Sequence, residues 1–427
     1  MRPSLTTALL QRKTLLATAC VALLISGCSQ VLVLAPPVAS PDAQLDSARF
    51  TEIDSAIVQA IGERRMPGAV FHLERNGAVY EKAYGHFSYD AGAAATTPDT
   101  VFDAASLTKV VATAPSVLLL AEEGKIDLEA PLVKYFPECA NGGKEAITVR
   151  QLLTHTSGLP SGLPGKPAWS GDAAAHELAC SQKVTHAPGT FFRYSDINYV
   201  LLGQLVQRVA GVPLNEFAQQ RIYAPLKMRD TGYLPLERMS ASAIAPTQKS
   251  PPSAADKALH HDLAGGQLLQ GVVHDPTARY MGGVAGSAGL FSTARDLARY
   301  ARMLLGEGEL DGVRILSKES VRLMSTVQTP AGIEALRGMG MDINSPYAVR
   351  PRGTLFPVGS YGHTGFTGCI LWIDPNSRTF YVFLSNRVYP DDKGNVLPLY
   401  TRIGTLAAQA ARNFDFAKAN SVAANGG

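Results

Sequence analysis

A mixed α/β (α+β) fold, with one antiparallel sheet flanked by helices and an inserted helical region, is predicted by three observations. The first is a hairpin signature near the start of the chain. Residues 69–75 and 78–85 flank Asn76-Gly77, and a two-residue turn demands left-handed backbone that Asn and Gly supply. The second is a similar signature near the end, where 369–374 and 379–385, rich in aromatic and β-branched residues, flank Pro375-Asn376-Ser377. The third is the helical spacing of apolar residues over 45–64, stopped by Pro67-Gly68, and again over 399–413. Neither hairpin buries enough surface alone. Pairing both in one sheet, under the two terminal helices, gives a domain built from both ends of the chain, 48–136 and 285–415.

The segment 137–284 reads as helix and loop with little strand pattern. A short helix is expected over 148–153. A clearer one spans 196–211, with Ile197, Val200, Leu201, Leu205 and Val209 at helical spacing and Gly211 at its end. An apolar helical stretch over 106–123 joins the two parts, and Pro115 within it predicts a kink or break. The glycines Gly265, Gly266, Gly282, Gly283, Gly286 and Gly289 lack the strand-to-helix context and lysine of a phosphate-binding loop, so they read as close backbone packing.

The chemistry lies in three short segments. Ser106 and Lys109 are three residues apart, so one helical turn puts hydroxyl and amine on one face. A serine hydroxyl becomes a competent nucleophile only when a neighbouring base takes its proton. The start of a helix also offers free N–H groups to a developing oxyanion. Tyr194-Ser195-Asp196 and His363-Thr364-Gly365 complete the set.

In this order the segments resemble the penicillin-recognising serine hydrolases, which include class C β-lactamases, D-Ala-D-Ala carboxypeptidases, esterases and D-aminopeptidases. The resemblance extends to 152–159, 194–203 and 282–293 and covers roughly 45–411. It implies a β-lactamase-like fold, with Ser106 as acylated nucleophile, Lys109 as its electrostatic partner and Tyr194 as proton shuttle. The backbone N–H groups of Ser106 and Phe366 would form the oxyanion hole, and Asp196, His363, Thr364 and Gly365 would line the substrate site. Two positions depart from the β-lactamase pattern. Asp196 stands where those enzymes have asparagine, and a carboxylate there holds Lys109 protonated. His363 replaces a lysine, and a histidine near pKa 6.5 is mostly neutral at pH 7. The His-Thr-Gly form looks more like the esterase and D-aminopeptidase branches. Val273-His274-Asp275 resembles a segment of some envelope members of the family.

The N-terminus carries Arg2, Arg12 and Lys13, then an apolar run over 15–25 and Ile25-Ser26-Gly27-Cys28. At about eleven residues the run suits a signal peptide and falls short of the roughly twenty needed to span a bilayer. The residues before Cys28 resemble a bacterial lipobox, implying cleavage after residue 27, lipidation of Cys28 and a membrane anchor. Ser29, where aspartate is absent, resembles outer-membrane sorting. A tether would then occupy 28–47 and a flexible tail 416–427. The whole chain has net charge +3, and removing three basic residues with the signal leaves a neutral chain. That excludes the basic footprint of a nucleic-acid binder.

Of five cysteines, Cys139 and Cys180 are a candidate disulfide in an oxidising periplasm, both in loop-like stretches. Cys369 reads as a buried small hydrophobe. His260, His261 and His274 show no ligand spacing, so neither metal nor other cofactor is expected. The leading expectation is an envelope serine hydrolase cleaving an ester or amide of a small-molecule or peptide substrate, including cell-wall D-amino-acid peptides. The alternatives are a β-lactamase and a non-catalytic penicillin sensor or peptidoglycan-binding lipoprotein.

Overall fold

A computed structural model describes residues 41–166, 168–249 and 268–419. The signal and lipobox residues, Cys28, His260, His261, Gly265 and Gly266 lie outside the described residues. Seven strands form the main sheet: β1 (Gly68–Arg75), β2 (Ala78–Gly85), β3 (Leu336–Arg337), β4 (Asp342–Asn344), β5 (Tyr361–Gly365), β6 (Cys369–Asp374) and β7 (Thr379–Ser385). Their order is β2-β1-β7-β6-β5-β4-β3, antiparallel throughout. Both expected hairpins are present and join through β1 and β7, where Phe71 pairs with Phe383. Asn76 and Gly77 have φ of 47° and 83°, the left-handed pair that this hairpin turn requires.

Side-chain alternation divides the sheet into two packed faces. Phe71, Leu73, Ile370, Trp372, Tyr381 and Phe383 pack beneath α1 (Ala48–Gly62) and α7 (Leu397–Gln409), against Ile53, Ile57, Ile403 and Leu406. Val70, Leu371, Val382 and Leu384 face the other way, into a core shared with α2 (Ala114–Glu122), α5 (Asp196–Ala210) and α6 (Ala294–Leu305). Between them, α3 (Val149–Leu153) and α4 (Asp172–Ser181) complete the helical layer. Thr148 caps α3 with a reciprocal bond to Gln151, and left-handed Gly211 ends α5. No strand falls within 137–284 among the described residues.

Three sequence expectations are corrected. Ser106 is not inside a continuous helix. It lies in the turn before a π-turn, Lys109–Thr113, which runs into α2. Pro115 sits in the first turn of α2, and the wide turn before it accommodates the missing N–H and the ring. The segment read as tether ends earlier: residues 41–44 form a helical turn, and Leu45 is buried in a bridge to Ala411. The tail read as flexible starts with Phe416 buried edge-on against Phe356.

Cys139 and Cys180 form a disulfide, although Cys180 lies on α4 and not in a loop. Cys369 is free and buried. No helix among the described residues is long and apolar enough to cross a membrane.

Candidate active site

The serine turn is held from three sides. Ala105, just before Ser106, has φ of 46°, an uncommon conformation for a residue with a Cβ. The Asp103 carboxylate accepts the Ala105 N–H at 2.9 Å and the His274 N–H at 2.7 Å. Burial raises the pKa of Asp103 to about 6, against the opposing pull of these two donors. The Thr367 hydroxyl donates to the Asp103 carbonyl at 2.6 Å, tying the turn after β5 to the turn before Ser106. Gly365 is required here, since a Cβ would lie 2.5 Å from the Ala104 carbonyl oxygen.

Lys109 is fully buried, and its ammonium reaches Ser106 Oγ at 3.0 Å, the Ser287 carbonyl at 2.8 Å and Asp196 Oδ1 at 2.7 Å. The Ser287 contact depends on close backbone packing. A Cβ on Gly286 would meet the Tyr199 carbonyl at 2.0 Å and Gly203 Cα at 2.9 Å, so the glycine-rich segment lies directly on α5. Burial would lower the Lys109 pKa, but Asp196 and Tyr194 outweigh it and hold the ammonium above its ordinary value.

Tyr194 precedes α5, half-buried, with its hydroxyl close enough to Ser106 and Lys109 for both to pull its pKa down. The ammonium is 5.1 Å from its ring centroid. Burial raises the phenol's pKa, Lys109 opposes that, and Asp196 adds to it, leaving the net shift upward. In the resting arrangement, then, a neutral phenol and a charged ammonium flank the serine.

The register of β5 against β6 pairs His363 with Leu371, on the face that looks toward the helical layer. The His363 ring is 5.9 Å from that of Tyr194. Its Nδ1–H donates to the Thr364 carbonyl at 2.8 Å, because a carbonyl can only accept. Nε2 is then an acceptor, buried and without a hydrogen-bond partner. Burial, Arg337 and Lys109 push its pKa well below 6.5, so this histidine is neutral at pH 7.

Ser106, Tyr194, His363, Thr364, Gly365 and Phe366 all line one cavity of about 560 Å³, whereas Lys109 and Asp196 are not among the residues lining it. The structure thus gathers the predicted residues of all three segments. Cys28 lies outside the described residues, and Cys139 and Cys180 are not among those lining the cavity. His274 and Asp275 belong to the support: His274 donates its N–H to Asp103, and Asp275 caps the helix Pro276–Tyr280.

Two residues next to the site were not found from sequence. Arg337, on β3, is 1% exposed yet lines the cavity. It donates to the Gly340 carbonyl at 2.8 Å, pairs with Asp342 at 3.3 Å and lies 6.0 Å from the Tyr194 centroid. No motif surrounds it, and β3 and β4 are too short and irregular to show a period. The His155 ring packs at a tilt against that of Tyr194, centroids 4.5 Å apart, and accepts the Ser195 N–H at 3.1 Å. It sits in the segment 152–159 singled out from the sequence, but nothing there assigns it a contact. A group of metal-ligating types also occurs away from the expected histidines: Cys139, His176 and Cys180 lie within 4.8 Å of one another. Its two sulfurs are bonded to each other, and His176 is engaged by Gln204 and Glu138.

A model of the Beta-lactamase family matches residues 53–404. The chain belongs to that family. It is a serine hydrolase of the β-lactamase family. A protein of Escherichia coli K12 named "Putative D-alanyl-D-alanine carboxypeptidase" is 31% identical over 375 residues, which is 82% of this chain and 85% of the relative. A penicillin-binding protein homologue from Caulobacter crescentus superposes with a TM-score of 0.67 at 20% identity, over 86% of this chain and 98% of the other. EstCE1, a hydrolase with promiscuous acyltransferase activity, gives 0.65 at 22% identity, over 84% and 98%. These two likenesses show the β-lactamase fold.

Proposed function

We propose that this β-lactamase-family hydrolase acts in the bacterial envelope on an ester or amide of a D-amino-acid peptide or a related compound, through an acyl-enzyme on Ser106. The observation that carries the reading is the ammonium of Lys109 at 3.0 Å from Ser106 Oγ, with the Tyr194 hydroxyl close to both, facing a cavity. In this mechanism the Tyr194–Lys109 pair first gives up one proton to solvent, and the deprotonated pair then takes the Ser106 proton as Oγ attacks the substrate carbonyl. The N–H groups of Ser106 and Phe366 hold the oxyanion. The proton then goes to the departing alcohol or amine, and water repeats the sequence to release the acid. Arg337 lines the same cavity, with its charge already engaged by Asp342. The name of the E. coli relative agrees with a D-amino-acid peptide as substrate.

A panel of p-nitrophenyl esters, D-Ala-D-Ala peptides, D-amino-acid amides and nitrocefin tests the reading. Turnover in the first three, loss of turnover and of fluorophosphonate labelling in Ser106→Ala, and an unchanged circular dichroism spectrum are expected. Stable penicillin labelling with no turnover of any substrate would instead identify a sensor. We further propose that Cys28 carries the lipid that anchors the chain at the outer membrane. Palmitate label in wild type and none in Cys28→Ala is the expected result, and equal label in both refutes the anchor.

A further inference from the structure

The cavity around Ser106 has a mixed lining. Arg337, His363, Arg387, Asp392 and Lys393 bring polar or charged groups to it, while Tyr347, Phe366, Leu397, Val396 and Tyr400 supply much of its apolar surface. Three of these are conspicuous for their exposure. Phe366 is 54% exposed, Tyr347 48% and Leu397 40%, and all three border the cavity that contains the nucleophile. Isolated exposed apolar residues are ordinary, but a group of them around a concave site marks a surface that something apolar covers.

Phe366 is exposed because it is held there. The Arg387 guanidinium lies 4.3 Å from its ring centroid, and Arg387 Nε donates to the Phe366 carbonyl at 2.7 Å. Arg387 is itself fixed by Asp392 at 2.6 Å. The His274 ring stacks against Phe366 with centroids 5.8 Å apart and 24° between planes. A ring clamped in this way cannot fold back to hide its surface, so its free area stays available to a bound molecule. Its backbone N–H is also the second oxyanion donor in the reading above, which places the ring one side chain away from the reacting carbonyl.

We infer that the substrate carries an apolar group, branched aliphatic or aromatic, beside the scissile carbonyl, seated on Phe366 in the cavity that Tyr347 and Leu397 also line. This rests on the assignment of Ser106 as nucleophile. A methyl-only substituent such as that of D-alanine leaves the Phe366 surface uncovered.

The experiment compares wild type with Phe366→Ala and Leu397→Ser on two series: p-nitrophenyl esters of growing acyl chain, and amides of D-Ala, D-Leu and D-Phe. Methyl-, isobutyl- and benzylboronic acids, scored by protection of Ser106 from fluorophosphonate, give a readout independent of turnover. Wild type should favour the larger group in at least one substrate series and among the boronic acids. Phe366→Ala should cut that preference about tenfold or more, since each missing apolar contact group is worth roughly 10- to 200-fold in discrimination. Labelling of Ser106 with the same size preference in both variants as in wild type overturns the inference and leaves the nucleophile standing. Absence of any Ser106 labelling in wild type overturns the nucleophile itself. A concentration-dependent dimer that dissociates in Phe366→Ala, with no change in size preference, assigns the ring to contact with a second copy and also overturns the inference.

Discussion

Asp196→Asn removes the one group that most directly holds Lys109 in its charged form, at nearly constant volume. The two are 2.7 Å apart, with Lys109 buried and the Asp196 side chain 37% exposed. Unit charges at that separation interact by about 6 kcal/mol at an effective dielectric of 20, an upper bound. Solvent reaching the exposed carboxylate reduces this to about 1.5–3 kcal/mol, or roughly one to two pH units. Asp275, whose own pKa is raised to about 6 by burial and by Asp196, remains nearby as a carboxylate and favours the lower end of that range. The sign does not depend on which group acts as base. Asp196 raises the pKa of the ammonium and that of the phenol, so without it the Tyr194–Lys109 pair loses its proton at lower pH. The acid limb of the kcat/KM profile for a neutral p-nitrophenyl ester, whose own ionisation does not intervene, should therefore move down by about one unit. A limb that stays in place or moves to higher pH would show that Asp196 does not control the base and would refute the argument.

Other variants test other parts of the molecule. His363→Lys converts a buried neutral ring into a cation at the cavity wall and should raise kcat/KM for carboxylate-bearing β-lactams relative to neutral esters; an unchanged ratio in parallel assays sinks this role for the position. Cys139→Ser with Cys180→Ser opens a link between residues 41 apart in sequence, and chain entropy puts the loss near 4 kcal/mol, read as a lower urea midpoint under non-reducing conditions. His72 lies buried between Glu81 at 2.9 Å and Glu74 at 3.3 Å; burial lowers its pKa, yet the two carboxylates overcome that and the net shift is upward. Its charge thus stabilises the fold fully below the unfolded value of about 6.5 and progressively less as pH rises through the higher folded value. Urea titrations across that range should show wild type losing stability with rising pH, and His72→Gln should flatten the slope.

The sequence was legible where chemistry or backbone geometry is local. Ser106 and Lys109 are one turn apart, so their contact is implicit in their spacing even though that turn precedes a π-turn instead of opening a regular helix. Asn76-Gly77 announces its hairpin because few other pairs adopt that conformation. The pairing of β1 with β7 was inferred from what two hairpins need to bury, and the alternation of Phe71, Leu73, Tyr381 and Phe383 carries it out. Arg337 was not legible, because its place depends on a bulged pair of very short strands that brings a buried cation beside a tyrosine from another part of the chain. His155 was visible as part of a segment but not as the ring against Tyr194, since that packing is set by the approach of α3 to α5. The buried ends at Leu45 and Phe416 were missed for a related reason: each gains its cover only when the opposite terminus is present.

That last point bears on how the molecule is made. The interior strand β7 is synthesised last of the seven, and its neighbour β1 comes first. Until about nine-tenths of the polypeptide has emerged, the leading hairpin has an open edge and no second hairpin to cover it, a condition that invites mispairing between chains. A premature stop before residue 379 would remove an interior strand, the one that joins the leading hairpin to the rest of the sheet, instead of trimming an edge.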